Sequence, residues 1–175
     1  MIAVTVLKTI ATAVQPWSDF YSNSKAVSSA VTFFHLGGLL FAGGLAVTSD
    51  RATFRALRGG EEDRNRLLVE LGNAHAWVIG GLTVIFASGI LLALADVKTF
   101  GPSPIYWTKM SLVALLLING ALLQRTEQKL RAGTLLSQTA PPMQRLWARL
   151  RFAAGASMFL WTAIVLAGVV LVEAS

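Results

Sequence analysis

Three long, uncharged apolar runs dominate this sequence. They cover Val27–Val47, Leu71–Ala95 and Phe152–Val172. Each is long enough to cross a hydrocarbon core of about 30 Å as an α-helix, which rises about 1.5 Å per residue. Charged residues make up 14% of the chain, against about a quarter in soluble domains. The sequence therefore predicts a membrane protein with at least three transmembrane helices.

A fourth apolar run, Pro104–Leu123, is interrupted by one charge, Lys109. A lysine in the first turns of a span can extend its long side chain back to the headgroups, and proline suits the first turn of a helix. We therefore predict a fourth span here. The four spans and their loops account for nearly all of residues 1–175, so the predicted fold is a single all-α domain, an integral membrane four-helix bundle.

The basic residues predict how this bundle is oriented. Eleven of the fifteen Lys and Arg residues lie in the loops after spans one and three: Arg51, Arg55, Arg58, Arg64, Arg66, Arg125, Lys129, Arg131, Arg145, Arg149 and Arg151. Loops rich in Lys and Arg stay in the cytoplasm, which predicts that both termini are extracytoplasmic. These loops account for the net charge of +6 without a nucleic-acid partner. Four tryptophans near predicted span ends fit interfacial belts: Trp17, Trp77, Trp107 and Trp147.

The N-terminal segment, residues 1–16, has one polar arc and an otherwise apolar surface when it is plotted as a helix. Lys8 interrupts its apolar residues, which argues against a signal peptide. We predict an amphipathic helix at the membrane interface, ending near Pro16 with Trp17 as an anchor. The alternative is a short helix packed on the bundle.

Polar side chains inside predicted spans are the main candidates for function, because each is costly in lipid unless it is satisfied. His35 and His75 raise the hypothesis of haem b, and Lys109 is a third candidate for cofactor binding. Counted from the outer edge of the bilayer, His35 lies at about 12 Å and His75 at about 24 Å. One iron held by both imidazoles is not compatible with that gap, so the primary prediction is no cofactor. Haem held by one histidine remains the alternative.

The same depth estimate places three polar residues at one level near the cytoplasmic side: His75, Asn119 and Ser157. They form a predicted polar cluster, or alternatively they are hydrogen bonds that only join helices. Nearer the outer surface, His35 and Lys109 could line a shallow pocket for an anion or a cofactor carboxylate. The alternative for this pair is a snorkelling lysine and a hydrogen-bonded histidine.

Other chemistry has little support in the sequence. The chain has no cysteine, which excludes thiolate metal sites and cysteine nucleophiles. The predicted spans contain no Asp or Glu, and no nucleotide-binding or zinc-protease motif is present. We predict no catalytic residues, no metal site and no enzymatic activity.

Several runs resemble a known group of proteins: Phe34–Leu40 closing on Ser49-Asp50-Arg51, Ser88–Val97, Trp107–Met110, and Asn119-Gly120. Over roughly residues 30 to 125 the chain is similar to small bacterial four-helix membrane proteins of unassigned function. That group is distantly similar to the membrane core of copper-resistance D and cytochrome b561-type proteins. The resemblance implies a four-helix bundle in a bacterial inner membrane, with a histidine role for His35 and His75. The b561-type proteins need histidine pairs at matching depths, and this chain has two histidines at different depths.

The leading hypothesis is a multi-pass accessory or structural subunit of a larger membrane complex, with the lipid bilayer and other membrane subunits as partners. Few interior polar groups and glycine-rich faces able to pack support it. The alternatives are a haem b-binding electron-transfer subunit and a small metal or solute transporter.

Overall fold

The computed structural model describes residues 9–133 and 141–173, and no strand occurs within them. The helices are α1 (Gln15–Asn23), α2 (Lys25–Ala56), α3 (Glu61–Ala95), α4 (Val97–Phe100), α5 (Pro104–Ala132) and α6 (Pro141–Glu173). Four of them, α2, α3, α5 and α6, are long and apolar enough to cross a membrane. The prediction of an all-α, four-helix, multi-pass membrane protein is confirmed.

The long helices extend well beyond the predicted spans. They contain 29 to 35 residues, so the shortest is about 43 Å long, against a hydrocarbon core of about 30 Å. The extra turns lie at the end that carries the two arginine-rich loops, called here the basic end. There α2 continues to Ala56, Gly59 and Gly60 separate it from α3, and Glu61 begins the next helix.

Local chemistry explains where the helices begin. The Ser24 hydroxyl accepts a hydrogen bond from the Val27 amide at the start of α2, and Ser103 does the same for Tyr106 at the start of α5. Such caps satisfy amides that have no partner within the helix. Proline follows Ser103 directly at Pro104, where its missing amide has no cost.

The N-terminal region differs in part from the prediction. Residues 1–8 lie outside the described residues, and residues 9–13 are helical. The helix was predicted to end near Pro16, but α1 begins at Gln15 with Pro16 in its first turn, a position that proline tolerates. The Trp17 indole donates a hydrogen bond to the Leu91 carbonyl, 2.9 Å away, and Ser18 donates to the Ala95 carbonyl, 2.7 Å away. Trp17 therefore fixes α1 against the end of α3.

The spans pack as two hairpins. Helix α2 lies along α3, α5 lies along α6, and the hairpins meet mainly through α2 and α6, while α3 and α5 make few contacts. One buried core lies in the middle of the spans: Ala42, Leu116, Leu160, Trp161 and Ile164. A second lies at the basic end: Ala56, Leu67, Leu68, Leu71, Leu130, Met143, Trp147 and Leu150.

One of the predicted belt tryptophans belongs to this second core. Trp147 is 3% exposed, and the Arg64 guanidinium lies 5.6 Å from the centre of its ring. A cation over an indole face is a favourable contact. Trp147 therefore packs inside the protein, whereas Trp77 and Trp107 have exposed side chains.

Candidate functional site

A mostly apolar cavity with a few polar lining residues lies between the two hairpins, at the boundary of the two cores. Its volume is about 100 Å³, and its polar lining residues are Ser49, Asp50, His75, Asn119, Ser157 and Trp161. All four spanning helices contribute to it. The structure thus brings His75, Asn119 and Ser157 to one cavity.

The carboxylate of Asp50 is the charged group that the sequence reasoning missed here. Asp50 is 4% exposed, and its Oδ2 has no hydrogen-bond partner within residues 9–133 and 141–173. Ser157 lies within hydrogen-bonding reach of the same carboxyl group. The sequence did contain a signal, because Asp50 continues the stripe of small residues Ala42 and Ala46 at intervals of four. The span was predicted to end at Val47, and Asp50, in the helical stretch predicted to follow it, was not considered as a site residue.

His75 connects the cavity to a buried ion pair. Its Nδ1 lies 3.2 Å from Oε2 of Glu127 and 3.2 Å from the Leu71 carbonyl. Arg131 binds the other oxygen of Glu127 through Nε at 2.8 Å and also donates to the Leu68 carbonyl. Glu127 is 3% exposed. This group, Glu127 with His75, Arg131 and the Leu68 carbonyl, is called the polar clasp, because it joins α5 to α3.

The clasp lies against a glycine. The Arg131 guanidinium lies over Gly72 on α3, where an added Cβ would have to displace the end of this flexible side chain. Glu127 and Arg131 are four residues apart on α5, the spacing at which helical side chains meet. The sequence contained that spacing, but Glu127 lies beyond the predicted span Pro104–Leu123, in a stretch predicted to be partly helical up to Gly133, and it was not considered as a site residue.

Asn119 bridges the second hairpin. Its Nδ2 donates to the Ala153 carbonyl at 2.9 Å, which links α5 to α6. This bond joins two helices, which was the alternative predicted for the polar cluster. It uses only the amide nitrogen of Asn119. The Asn119 side chain also lines the cavity, so its carbonyl oxygen remains available to a second partner.

The outer pair of candidates, His35 and Lys109, lies close enough for the lysine charge to act on the imidazole, but the two side chains have different contacts. His35 is half-buried, and its Nδ1 lies 3.1 Å from the Ser88 hydroxyl and 3.2 Å from the Ile85 carbonyl on α3. The Lys109 ammonium instead lies against Gly168 on α6. The structure accounts for His35 as a hydrogen-bonded contact between α2 and α3.

The two histidines cannot share one metal. His35 is level with Ile85, which follows His75 by ten residues along α3, so the imidazoles are offset by about 15 Å along the helix. Two nitrogens on one iron would each lie about 2 Å from it. These residues therefore do not fit a haem bridged between His35 and His75. Within the described part of the chain, no three His, Cys, Asp or Glu residues form a metal-binding group.

A second concave surface lies on the lipid side of α2 and α3. It is an apolar groove of about 440 Å³, called here the glycine groove, lined by Phe33, Phe34, Gly37, Gly38, Phe41, Trp77, Gly80, Gly81 and Val84. Its aromatic walls are exposed, with Phe33 at 71% and Trp77 at 65%. Phe41 and Trp77 meet edge to face across the helix pair.

The glycines of this groove are of two kinds. Gly38 and Gly81 face the neighbouring helix, where an added Cβ would lie 2.9 Å from Ile85 and 2.7 Å from Ala42, respectively. Around Gly37 and Gly80, in contrast, no atom of the described residues comes within 4 Å of an added Cβ. Close packing inside the bundle therefore explains the first pair but not the second.

Comparisons with known protein families, with curated proteins and with solved structures give no match. The resemblance to copper-resistance D and cytochrome b561-type proteins therefore stays a prediction.

Proposed function

We propose that this protein is a non-enzymatic accessory subunit of a larger complex in a bacterial inner membrane, and that the glycine groove receives a transmembrane helix of another subunit. The observation that carries the proposal is the open space around Gly37 and Gly80, which line the same groove.

Glycine has a cost in a helix that close packing can offset. It destabilises a helix interior by about 1 kcal/mol relative to alanine, and in lipid the apolar effect does not drive helices together. Association there depends on close van der Waals contact, for which small residues at the interface are typical. Gly37 and Gly80 do not provide such a contact within the described bundle, so a helix from outside is the partner that fits them.

The lining of the groove defines the chemistry of its occupant. Every lining residue is glycine, valine or aromatic, so the groove offers no side-chain charge, and among these residues the Trp77 indole N–H is the one side-chain hydrogen-bond donor. Aromatic walls with a glycine floor suit an apolar helix whose side chains insert between the rings. Acyl chains of lipids are the competing occupant, and they need no glycine.

The orientation belongs to the same proposal. The excess of arginine at the basic end supports a cytoplasmic location for that end, and with four spans both termini would then be extracytoplasmic.

The test fills the groove without disturbing the bundle. Gly37→Leu and Gly80→Leu place a large side chain in the groove, and Gly44→Leu is the matched control, because Gly44 also has no described atom within 4 Å of an added Cβ but does not line the groove. Native membranes are solubilised in mild detergent, and the tagged chain is separated by size. We expect wild type and the Gly44 variant to migrate in a larger complex, and both groove variants to migrate alone.

Photo-crosslinking identifies the occupant. A benzophenone amino acid at Trp77 is expected to capture a different membrane protein, whereas the same probe at Phe159, which is 70% exposed on α6, is not. A wild-type chain that is always monomeric, or groove variants that stay in the complex, would contradict the proposal. A product of twice the chain mass would identify self-association instead.

A further inference from the structure

The buried carboxylate of Asp50 lacks a counter-charge. Its Oδ2 is inaccessible to solvent and accepts no hydrogen bond from residues 9–133 or 141–173, and the residue is 4% exposed. An ionised carboxylate in such a place is costly unless an opposite charge or hydrogen bonds compensate it. Ser157 lies near the carboxyl group, and one hydroxyl does not neutralise a charge.

The cationic side chains of the polar clasp are already engaged. Arg131 is bound to Glu127 and to the Leu68 carbonyl, and His75 lies against the other oxygen of Glu127. Asp50 and His75 are the ionisable residues among those that line the cavity in the described part of the chain. The positive charge that Asp50 needs must therefore come from a proton or from a bound cation.

The cavity beside Asp50 offers oxygen ligands. Ser49, Ser157 and Asn119 line it, so the candidate ligands are the two hydroxyls and the Asn119 amide oxygen, which the bond to Ala153 does not use. Carboxylate, amide and hydroxyl oxygens suit hard cations and not the softer transition metals. A single carboxylate balances one positive charge, which favours a monovalent ion over a divalent one.

From these observations, we infer that the cavity between α2, α3, α5 and α6 binds a small monovalent metal cation, with Asp50 as its charge partner and Ser49, Asn119 and Ser157 as neutral oxygen ligands. The volume of about 100 Å³ equals roughly three water molecules at about 30 Å³ each. This is enough room for a cation and one or two waters. The site lies between the hairpins and is independent of the glycine groove and of the proposed subunit role.

Sodium is the probe for the test. The full chain is purified in detergent at low sodium, with N-methylglucamine chloride holding the ionic strength, at about pH 8, where an ordinary carboxyl is ionised. Binding of radioactive sodium is measured by scintillation proximity, with excess unlabelled sodium chloride as the competitor. We expect saturable binding of about one ion per chain, and a rise in the melting temperature with sodium, because a ligand that binds the folded state stabilises it.

Two variants locate the ion. Asp50→Asn keeps the shape of the side chain and removes its charge, so it should abolish both sodium binding and the sodium-dependent melting shift. Asp19→Asn is the matched control, since Asp19 is exposed and bonded to Gln15 on α1, and it should bind sodium as wild type does. Asn119→Ala should weaken binding about tenfold, the effect of one lost ligand.

Each contrary result overturns the inference. Wild-type protein that is folded and binds no sodium means that Asp50 carries a proton. Sodium binding that survives in folded Asp50→Asn means that the ion lies elsewhere. If Asp50→Asn does not fold, Asn119→Ala and Ser157→Ala decide the question, and wild-type affinity in both overturns the assignment.

Discussion

Gly81 and its neighbour Gly80 allow one chemical change to be compared in two environments. Both lie in the middle of α3, so Gly→Ala raises helix propensity equally at each position, by about 0.5–1 kcal/mol. A Cβ on Gly81 would lie 2.7 Å from the Cβ and 3.4 Å from the Cα of Ala42 on α2, whereas one on Gly80 would meet no described atom within 4 Å. The difference between the two variants therefore isolates the packing of α2 on α3.

The contact distance sets the expected size of the effect. Carbon atoms pack best at about 3.5–4.0 Å, so the new methyl group at position 81 would be roughly 1 Å too close. The Cβ of Ala42 is attached directly to the backbone and cannot rotate away, so the two helices must separate. Overpacking of this kind costs about 1–3 kcal/mol. We expect Gly81→Ala to be about 2 kcal/mol less stable than Gly80→Ala, with Gly80→Ala equal to wild type or slightly more stable.

The assay is reversible unfolding of the purified protein in mixed micelles with increasing dodecyl sulfate, followed by circular dichroism and tryptophan fluorescence. Equal free energies of unfolding for the two variants would refute the close packing of α2 on α3. A loss of stability in Gly80→Ala would show that this residue faces protein within the bundle, and the argument for the glycine groove would then lose its basis.

Three further outcomes are expected. Glu127→Ala should lower the free energy of unfolding by about 2 kcal/mol in the same assay. This is less than the roughly 3–5 kcal/mol of a fully buried pair, because the Arg131 side chain is 39% exposed and can be rehydrated. No change would mean that the polar clasp does not stabilise the fold. Asn119→Ala should cost about 0.6 kcal/mol, the typical worth of a hydrogen bond between spanning helices, and a loss above about 2 kcal/mol would indicate a larger role. Since the chain has no cysteine, single cysteines introduced at Lys98 and Gly60 can report the orientation. An impermeant maleimide should label Lys98→Cys in intact cells and Gly60→Cys only after permeabilisation. The reverse labelling pattern would invert the proposed topology.

The sequence predicted the spans well, because lipid imposes a simple requirement on them. A run such as Leu71–Ala95 has no charges and sufficient length, and few other structures tolerate that combination. The requirement ends where the chain leaves the hydrocarbon, and other signals predict the helices there: the first helix is predicted to continue until Gly59 and Gly60 stop it, and the next is predicted to restart at Glu61. Both predictions agree with α2 ending at Ala56 and α3 beginning at Glu61. Trp147 was assigned to an interfacial belt because an indole near a span end fits both such a belt and a core outside the lipid.

The sequence predicted the depth of the candidate site along the helices but not its charged residues. Counting residues along each helix placed His75, Asn119 and Ser157 at one depth, and all three line the same cavity. Depth alone does not give rotation about the helix axis, and the groups that determine the charge of the site, Asp50 and Glu127, were outside the predicted spans. Their side chains are directed inward by the same helical periodicity that governs the spans, so periodicity continued past the ends of the apolar runs would have found them.

The position of the polar clasp suggests why the buried polar groups lie together. Helices α3 and α5 make few contacts, yet Arg131 and Glu127 on α5 reach the Leu68 carbonyl and His75 on α3. Within lipid, helices gain little from burying apolar surface, whereas at the basic end water makes such burial favourable. The clasp lies at this boundary and joins the two hairpins where apolar packing between α3 and α5 is weakest. Loss of Glu127 should therefore loosen the contact between the hairpins while each hairpin keeps its own packing.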